Sequence, residues 1–274
     1  MSALLDKLQE PEMVGCAVDG SERLDAHRVV LRRKAMIREV FEDFHALFRD
    51  LDERLFTADG SVIELGAGVY PVRETVPGVI ATDVVAAPHL DRTLDAEAME
   101  LADGSVRAFY LQNVFHHFPH PSRFFAELER TLAPGGGAIL IEPHDGAFAA
   151  WLYPQLFASE GYDKSAPSWE TEVGGPMSGA NQALSHLVFD RDLARFTQLH
   201  GSLEFVHRDV MPNWIRYLAS GGLNFRPLVP AFAAPALRGL ETLLSPLRRM
   251  LGLHRVIVLR KRLPERTHPQ SRRE

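Results

Sequence analysis

Between Asp25 and about Leu55 the apolar positions Val30, Ile37, Val40, Phe41, Phe44, Leu47, Phe48 and Leu51 recur at steps of three and four, with arginines and acids between them. That spacing predicts one long amphipathic helix, or two in succession. The period then changes. Val62, Ile63 and Leu65 make a short apolar run that stops at Gly66-Ala67-Gly68, and residues 79–82 make another that ends at Asp83. Such runs, bounded by turn formers, are the pattern of strands buried in a parallel sheet. Residues 106–111 and 138–142 repeat it. Between them Phe124, Phe125, Leu128 and Leu132 form the stripe of a helix that begins after Pro119 and Pro121 and stops at Ala133-Pro-Gly-Gly-Gly137. Residues 203–207 and 255–260 predict two later strands. Strand and helix alternate, so the class is α/β.

The flanks are less regular. Residues 1–24, with Pro11, Gly15 and Gly20, predict a loosely ordered lead, and residues 84–91, with Pro88, a connection. Residues 151–186 mix Trp151, Tyr153, Phe157, Tyr162 and Trp169 with Gly174, Gly175, Pro176 and Gly179. That is too polar for core and too aromatic for a linker, and it predicts a lid. Residues 213–226 have the mixed aromatic and polar character of a substrate wall. Leu237, Leu240, Leu244, Leu247 and Leu251 step by three and four, with Arg238, Glu241, Arg248 and Arg249 elsewhere on the helix and Pro246 placed to kink it. Three uses compete for this helix: packing on the lid, a dimer contact, or resting on a membrane surface through residues 227–253. Residues 263–274 read as a disordered tail.

With 274 residues, 46% of them hydrophobic, the chain can bury one sizeable core plus a cap. The single cysteine, Cys16, leaves no internal disulfide and fits a reducing compartment; it has no positional partner and reads as inert. No secretory leader is visible, and no run is apolar for the roughly 20 residues of a membrane span. A cytoplasmic enzyme is expected, at most peripheral to the inner face of a membrane. The net charge of −6 hides an asymmetry: residues 226–274 carry 11 Lys and Arg against 3 Asp and Glu, the rest 19 against 33. The acidic body argues against nucleic acid as a partner.

The turn at Gly66 and Gly68 lets backbone approach a ligand closely, since no Cβ intervenes and positive φ is cheap. Asp83, 17 positions after Gly66, stands where doubly wound folds place an acid to accept from two ribose hydroxyls. Together they predict a nucleoside pocket. A dinucleotide fingerprint would need a third glycine at position 71, which is Pro, and a full helix aimed at a pyrophosphate; only about three turns fit before Pro77-Gly78.

Glu64-Leu-Gly-Ala-Gly68 resembles motif I of the class I S-adenosylmethionine-dependent methyltransferases, of the type 11-like kind that acts on small molecules; Tyr70 stands where the family usually has a third Gly. The stretch Thr93-Leu-Asp95-Ala96, the exit Gln112-Asn113-Val114-Phe115-His116-His117, and the helix–Leu-x-Pro-Gly-Gly–strand sequence carry the same resemblance over residues 61–145. Arg107 departs from it, replacing an Asp that is normally structural. The resemblance implies a Rossmann-like sheet of seven mostly parallel strands with helices on both faces, N-terminal helices, and a helical cap inserted after strand five and before strand seven. It implies S-adenosylmethionine as cofactor, held by Glu64, Gly66, Ala67, Gly68, Asp83, Val84, Asp95, Ala96, Gln112, Asn113 and His117. Asp95 would accept from the adenine amino group, Ala96 would present its N–H to the ring, and Gln112 and Asn113 would face the methionine part. His27, Lys34 or His45 could look onto the cofactor mouth, or sit on an ordinary amphipathic surface.

The domains so expected are a lead and helical lid (1–55), a cofactor core (56–145), a cap and acceptor region carrying the last strands (146–262) and a tail. One of His116 and His117 is expected to be a hydrogen-bonded structural imidazole and the other an acid or base. No metal is expected, although His116, His117 and His120 could be read as ligands. For methyl transfer to a hydroxyl of a small-molecule, glycan or lipid-linked acceptor, the proton-accepting candidates are His117, His144 and Glu142. Two rivals remain: a non-catalytic partner subunit of the same fold, suggested by Tyr70, and a nucleotide-dependent oxidoreductase.

Overall fold

Strands β1 (Ser61–Leu65), β2 (Val79–Asp83), β3 (Arg92–Thr93), β4 (Val106–Gln112), β5 (Leu132–Pro143), β6 (Leu203–Val210) and β7 (His254–Lys261) join in one sheet of order β3-β2-β1-β4-β5-β7-β6. The computed structural model describes residues 7–17, 19, 21–157, 160–172 and 180–264. β1 to β5 pair in parallel, and β7 runs antiparallel to both β5 and β6. The expected mostly parallel seven-stranded sheet is therefore present. Its last strands belong to the same sheet as its first.

Side chains alternate along the strands and divide the core in two. Phe109 and Leu111 of β4 and Ala138 and Leu140 of β5 face one side with Phe124, Phe125 and Leu128 of the helix Pro121–Thr131. Ala108, Tyr110, Ile139 and Ile141 face the other, under Ile37, Val40, Phe44, Phe48 and Leu51. The latter come from the second of two N-terminal helices, α1 (Ser21–Arg33) and α2 (Ala35–Leu55), which the sequence left as one or two; the break is at Lys34. The Pro121–Thr131 helix is α3. After β5 come α4 (Ala147–Leu156) and α5 (Leu193–Leu199); α6 (Trp214–Ala219), α7 (Ala234–Leu244) and α8 (Arg248–Leu251) lie between β6 and β7.

Four expectations change. The lead is tied down: Gln9 bridges to Phe225, and Glu10 is buried against Lys34. The helix stops as expected before Ala133-Pro-Gly-Gly-Gly137, but β5 already begins at Leu132. Leu132 pairs with Val106 and Gly137 with Ala108, so residues 133–136 bulge from the ladder, with Gly135 at φ 83°, and at Gly137 the approach to Leu259 O and the Phe56 ring leaves no room for a Cβ. Trp169, assigned to a lid, is core: it is buried among Leu184, Leu187 and Phe189, and its Nε1 donates to Asp192 at 2.8 Å. The kink at Pro246 is a full interruption, with a 3-10 turn Ser245–Leu247 dividing α7 from α8. The lid glycines and proline at 174–176 and 179, and the tail from 265, lie outside the described residues. Arg107, the departure from the motif, places its Nε on Asp52 at 2.8 Å.

Candidate active site

The strand order reverses between β1 and β4, and ligands in open α/β sheets bind at the carboxyl ends of strands beside such a reversal. Both chain segments leaving those strands turn sharply there. Gly66 and Gly68 have φ of 65° and 53°, and a Cβ on Gly66 would overlap Val114. Ala67 N donates to Thr82 O at 2.8 Å, Gly68 N to Asp83 Oδ2 at 3.1 Å, and Val85 N to Asp83 Oδ1 at 3.0 Å. Each Asp83 oxygen thus keeps a lone pair for a further donor. Beneath the turn, buried Glu64 accepts from Val72 N at 2.7 Å, and burial raises its pKa well above the usual carboxylate range. Only a 3-10 turn, Val72–Glu74, follows. No helix N-terminus is offered to a pyrophosphate at this turn, which counts further against the oxidoreductase. Tyr70 does not have positive φ, so a glycine is not required there; its ring lies against Phe41 and His45, and its hydroxyl meets Glu42 at 3.2 Å.

The exit of β4 is organised by Glu142. Its carboxylate, fully buried, accepts from Val114 N (2.9 Å), Phe115 N (2.8 Å), His116 N (3.3 Å) and His116 Nδ1 (2.7 Å). His116 Nε2 stands 3.6 Å from Glu160, which Gln182 holds at 2.6 Å. Burial opposes charge on His116, but Glu142 and then Glu160 outweigh it and raise its pKa to about 9. Burial likewise opposes charge on Glu160, and His116 overrides it, down to about 2. His117, its ring 4.1 Å from that of His116, is pushed the other way by burial and then by the His116 charge, to about 3. Its Nδ1 is buried with no partner among the described residues. His116 is therefore the structural imidazole and His117 the free neutral one.

A cavity of about 830 Å³ rises from this floor. Gly66–68, Asp83, Val84, Asp95, Ala96, Gln112, Asn113 and His117 all line it, and Glu64 reaches its base. Asn113 carries φ of 55°, and its Oδ1, like Gln112 Oε1, is buried without a partner among the described residues. Two orphaned acceptors beside a carboxylate with spare lone pairs suit the ammonium and ribose hydroxyls of an adenosyl amino acid. Asp95 is exposed, its Oδ1 accepting from Glu97 N at 2.8 Å; Ala96 is buried beside it. The upper walls are mostly apolar: Leu24 and Phe41 from α1 and α2, Leu152 and Leu156 from α4, and Tyr217 and Leu223 from the 213–226 wall.

Two of the proposed bases do not reach this space. Glu142 points beneath the 114–116 backbone and is saturated there. His144 is turned to the 249 backbone, its Nε2 on Arg249 O at 2.9 Å. Of the three, His117 alone lines the cavity. Of the three residues that could look onto the mouth or sit on an ordinary surface, His27 lines the cavity, whereas Lys34 and His45 are buried in contacts with the chain. Missed by the sequence were Glu160 and Gln182 from the lid segment, and His89, whose Nε2 holds Gly68 O at 2.7 Å from within a stretch read as a plain connection. His120 does not join its neighbours. His116, His117 and Glu160 do approach within 4.8 Å of one another, as do Asp145, His186 and Asp190. In the first group His116 itself supplies the cation that Glu160 needs; in the second, Lys164 and Arg255 do so for Asp145.

Residues 77–140 match a family model described as a methyltransferase domain. Over 132 residues, 48% of this chain, the sequence is 30% identical to phthiotriol/phenolphthiotriol dimycocerosates methyltransferase 1 of Mycobacterium ulcerans. The match spans 46% of that relative's length. Among solved structures, geranyl diphosphate C-methyltransferase from Streptomyces coelicolor is similar at 12% identity and a TM-score of 0.47, covering 82% of this chain and 83% of that one. An S-adenosylmethionine-dependent methyltransferase from Mesorhizobium loti is similar at 14% identity and 0.43, covering 77% and 96%.

Proposed function

We propose that this chain, a class I S-adenosylmethionine-dependent methyltransferase by its matched domain and the build of its sheet and crevice, moves the methyl group onto a hydroxyl oxygen of a small-molecule, glycan or lipid-linked acceptor. The observation that carries the reading is continuity: the crevice floored by Gly66–68 and Asp83 runs without a wall past His117 into a largely apolar chamber. S-adenosylmethionine, when bound, supplies an electrophilic methyl on a sulfonium.

Asp83 would hold the ribose hydroxyls, Asp95 and Ala96 the adenine edge, and Gln112 and Asn113 the amino-acid end. The apolar walls exclude water and hold an acceptor at contact distance, which is the main source of rate in an in-line displacement. His117, neutral near pH 7, accepts the hydrogen bond of the attacking hydroxyl. As the proton moves onto its ring, the Glu160 carboxylate favours the resulting charge while His116 opposes it. The relative of Mycobacterium ulcerans is named for a triol, which supports a hydroxyl acceptor.

Calorimetric titration tests the cofactor: Asp83→Ala is expected to weaken S-adenosylmethionine binding about 100-fold by removing two charge-assisted hydrogen bonds. A parent that does not bind, or a variant that binds equally, overturns the assignment. A screen of alcohols for a product 14 mass units heavier tests the acceptor, with His117→Ala expected to cost about 10²–10⁴ in turnover. A product methylated on carbon or nitrogen overturns the oxygen assignment.

A further inference from the structure

Helix α7 buries its one acid and leaves much of its apolar stripe exposed. A surface helix normally buries its apolar stripe and exposes its charges. Here the inward face carries Ala234 and Leu237, packed near Met36 and Ala219, and Glu241, which is buried and accepts from Arg216 Nε at 2.7 Å. The outward face carries Leu240 and Leu243, and the stripe continues through Leu247 and Met250 in steps of three and four, with Phe232 preceding it. Phe232 is 85% exposed and Leu243 74%. Of the large hydrophobic side chains exposed among the described residues, half fall between Leu228 and Met250. Contiguous apolar surface of this kind marks an interaction site.

The charges around it say what covers it. Residues 226–253 contain one acid, Glu241, and it is turned inward; the outward face has none. Arg226 and Arg249 are exposed and, among the described residues, have no acidic partner. A second copy packed symmetrically on this face would bring together two surfaces with unpaired arginines, since the neighbouring Glu39, Asp43 and Asp209 are already engaged by Arg238, Arg216 and Arg248. An anionic surface meets it with the complementary sign. The face is also continuous with the chamber, since Arg226 and Leu228 are both exposed and part of its wall. On the other side α8 packs against α4, where Trp151 is 61% exposed with its ring on Phe148. Among the described residues no helix is long and apolar enough to cross a membrane.

We propose that the face formed by Phe232, Leu240, Leu243, Leu247 and Met250 docks on the surface of an anionic lipid bilayer. The stripe enters the headgroup–acyl boundary, and Arg226 and Arg249 meet lipid phosphates. A rim so placed opens the chamber toward the bilayer.

The test is flotation of the full-length protein with phosphatidylcholine vesicles and with vesicles of phosphatidylcholine containing about one-third phosphatidylglycerol, where each basic side chain adds to binding. The parent is expected to float with the anionic vesicles, less so as salt rises. The double variant Leu243→Ser/Leu247→Ser should lose at least about tenfold in affinity, as expected for two partly buried leucines. Its melting temperature and S-adenosylmethionine affinity should match the parent's, because neither side chain is buried in the fold or lines the chamber. Failure of the parent to float, equal binding to neutral vesicles, or an unchanged double variant overturns the proposal. So does a parent dimer that the double variant abolishes, which would give the face to a second copy. Flotation needs neither cofactor nor acceptor, so the methyl-transfer reading stands or falls separately, by the titration above.

Discussion

Beneath the chamber, the turn at 66–68 is held by an acid 15 residues away, and the backbone N–H groups at 114–116 by one 26 to 28 residues on. Above it, Lys34 Nζ donates to Ser220 O at 3.1 Å and Gly222 O at 2.9 Å, partners more than 180 residues on, as well as to Phe225 O, and pairs with Glu10 at 2.9 Å. His27 reaches Asn224 at 2.9 Å, and Arg216 bridges Glu241 and Asp43. Floor and roof enclose one space by different means. The floor is local backbone pinned on buried carboxylates. The roof is three distant stretches of chain joined by long cationic side chains. The cofactor end is thus built from contacts within short stretches of chain, and the roof from joints between distant ones.

The sharpest way to break the contrast is at Glu142. Glu142→Ala strands three backbone N–H groups and the charged His116 in the interior, and should cost about 3–5 kcal/mol in denaturant unfolding. A loss below 1 kcal/mol would show that the floor is not pinned there. Lys34→Ala should cost less overall, about 3 kcal/mol, because it strands the Ser220, Gly222 and Phe225 carbonyls and leaves buried Glu10 to Arg33 alone. Its signature is spatial: limited proteolysis should cut the lead and the 220–226 turn first, while the sheet stays protected. Uniform cleavage would mean roof and floor unfold together.

Acid sharpens the comparison further. His45 is fully buried with Nδ1 on Thr75 at 2.7 Å, and burial lowers its pKa to about 4. Its folded value lies below the unfolded one of about 6.5, so between those pH values only the unfolded chain takes the proton. Stability is therefore lost as pH falls from about 6.5 to about 4, amounting to about 2 kcal/mol by pH 5. His45→Leu should flatten that limb of the melting curve; an unchanged slope would assign it to other groups. The smallest effect is at Asn113. Asn113→Ala keeps a Cβ in a left-handed conformation that Asn tolerates better, and should cost about 1 kcal/mol, whereas Asn113→Gly should not. Both remove the amide, so both should weaken S-adenosylmethionine.

How much could be read in advance follows the same division. The glycine turn, Asp83, the helix α3 and the exit at 112–117 were legible because each depends on neighbours within one strand–turn–helix unit. Glu142 was placed correctly at the tip of β5, but its role was not, since residue spacing does not say that the carboxylate points under the 114–116 turn. His144, two residues on, failed for the same reason. Glu160, Gln182 and the Lys34 joint were invisible, because their partners come from other parts of the chain and no local pattern encodes a meeting across 186 residues. Trp169 looked like lid because its surroundings are polar; burial of one large ring outweighs such a neighbourhood.

A last consequence follows from the single ammonium at the α1–α2 break. The lead, the helix corner and the 220–226 turn share that one cation, so lifting any of them abandons a charge in a dry place. Opening the roof at this corner therefore means breaking contacts to all three segments at one atom.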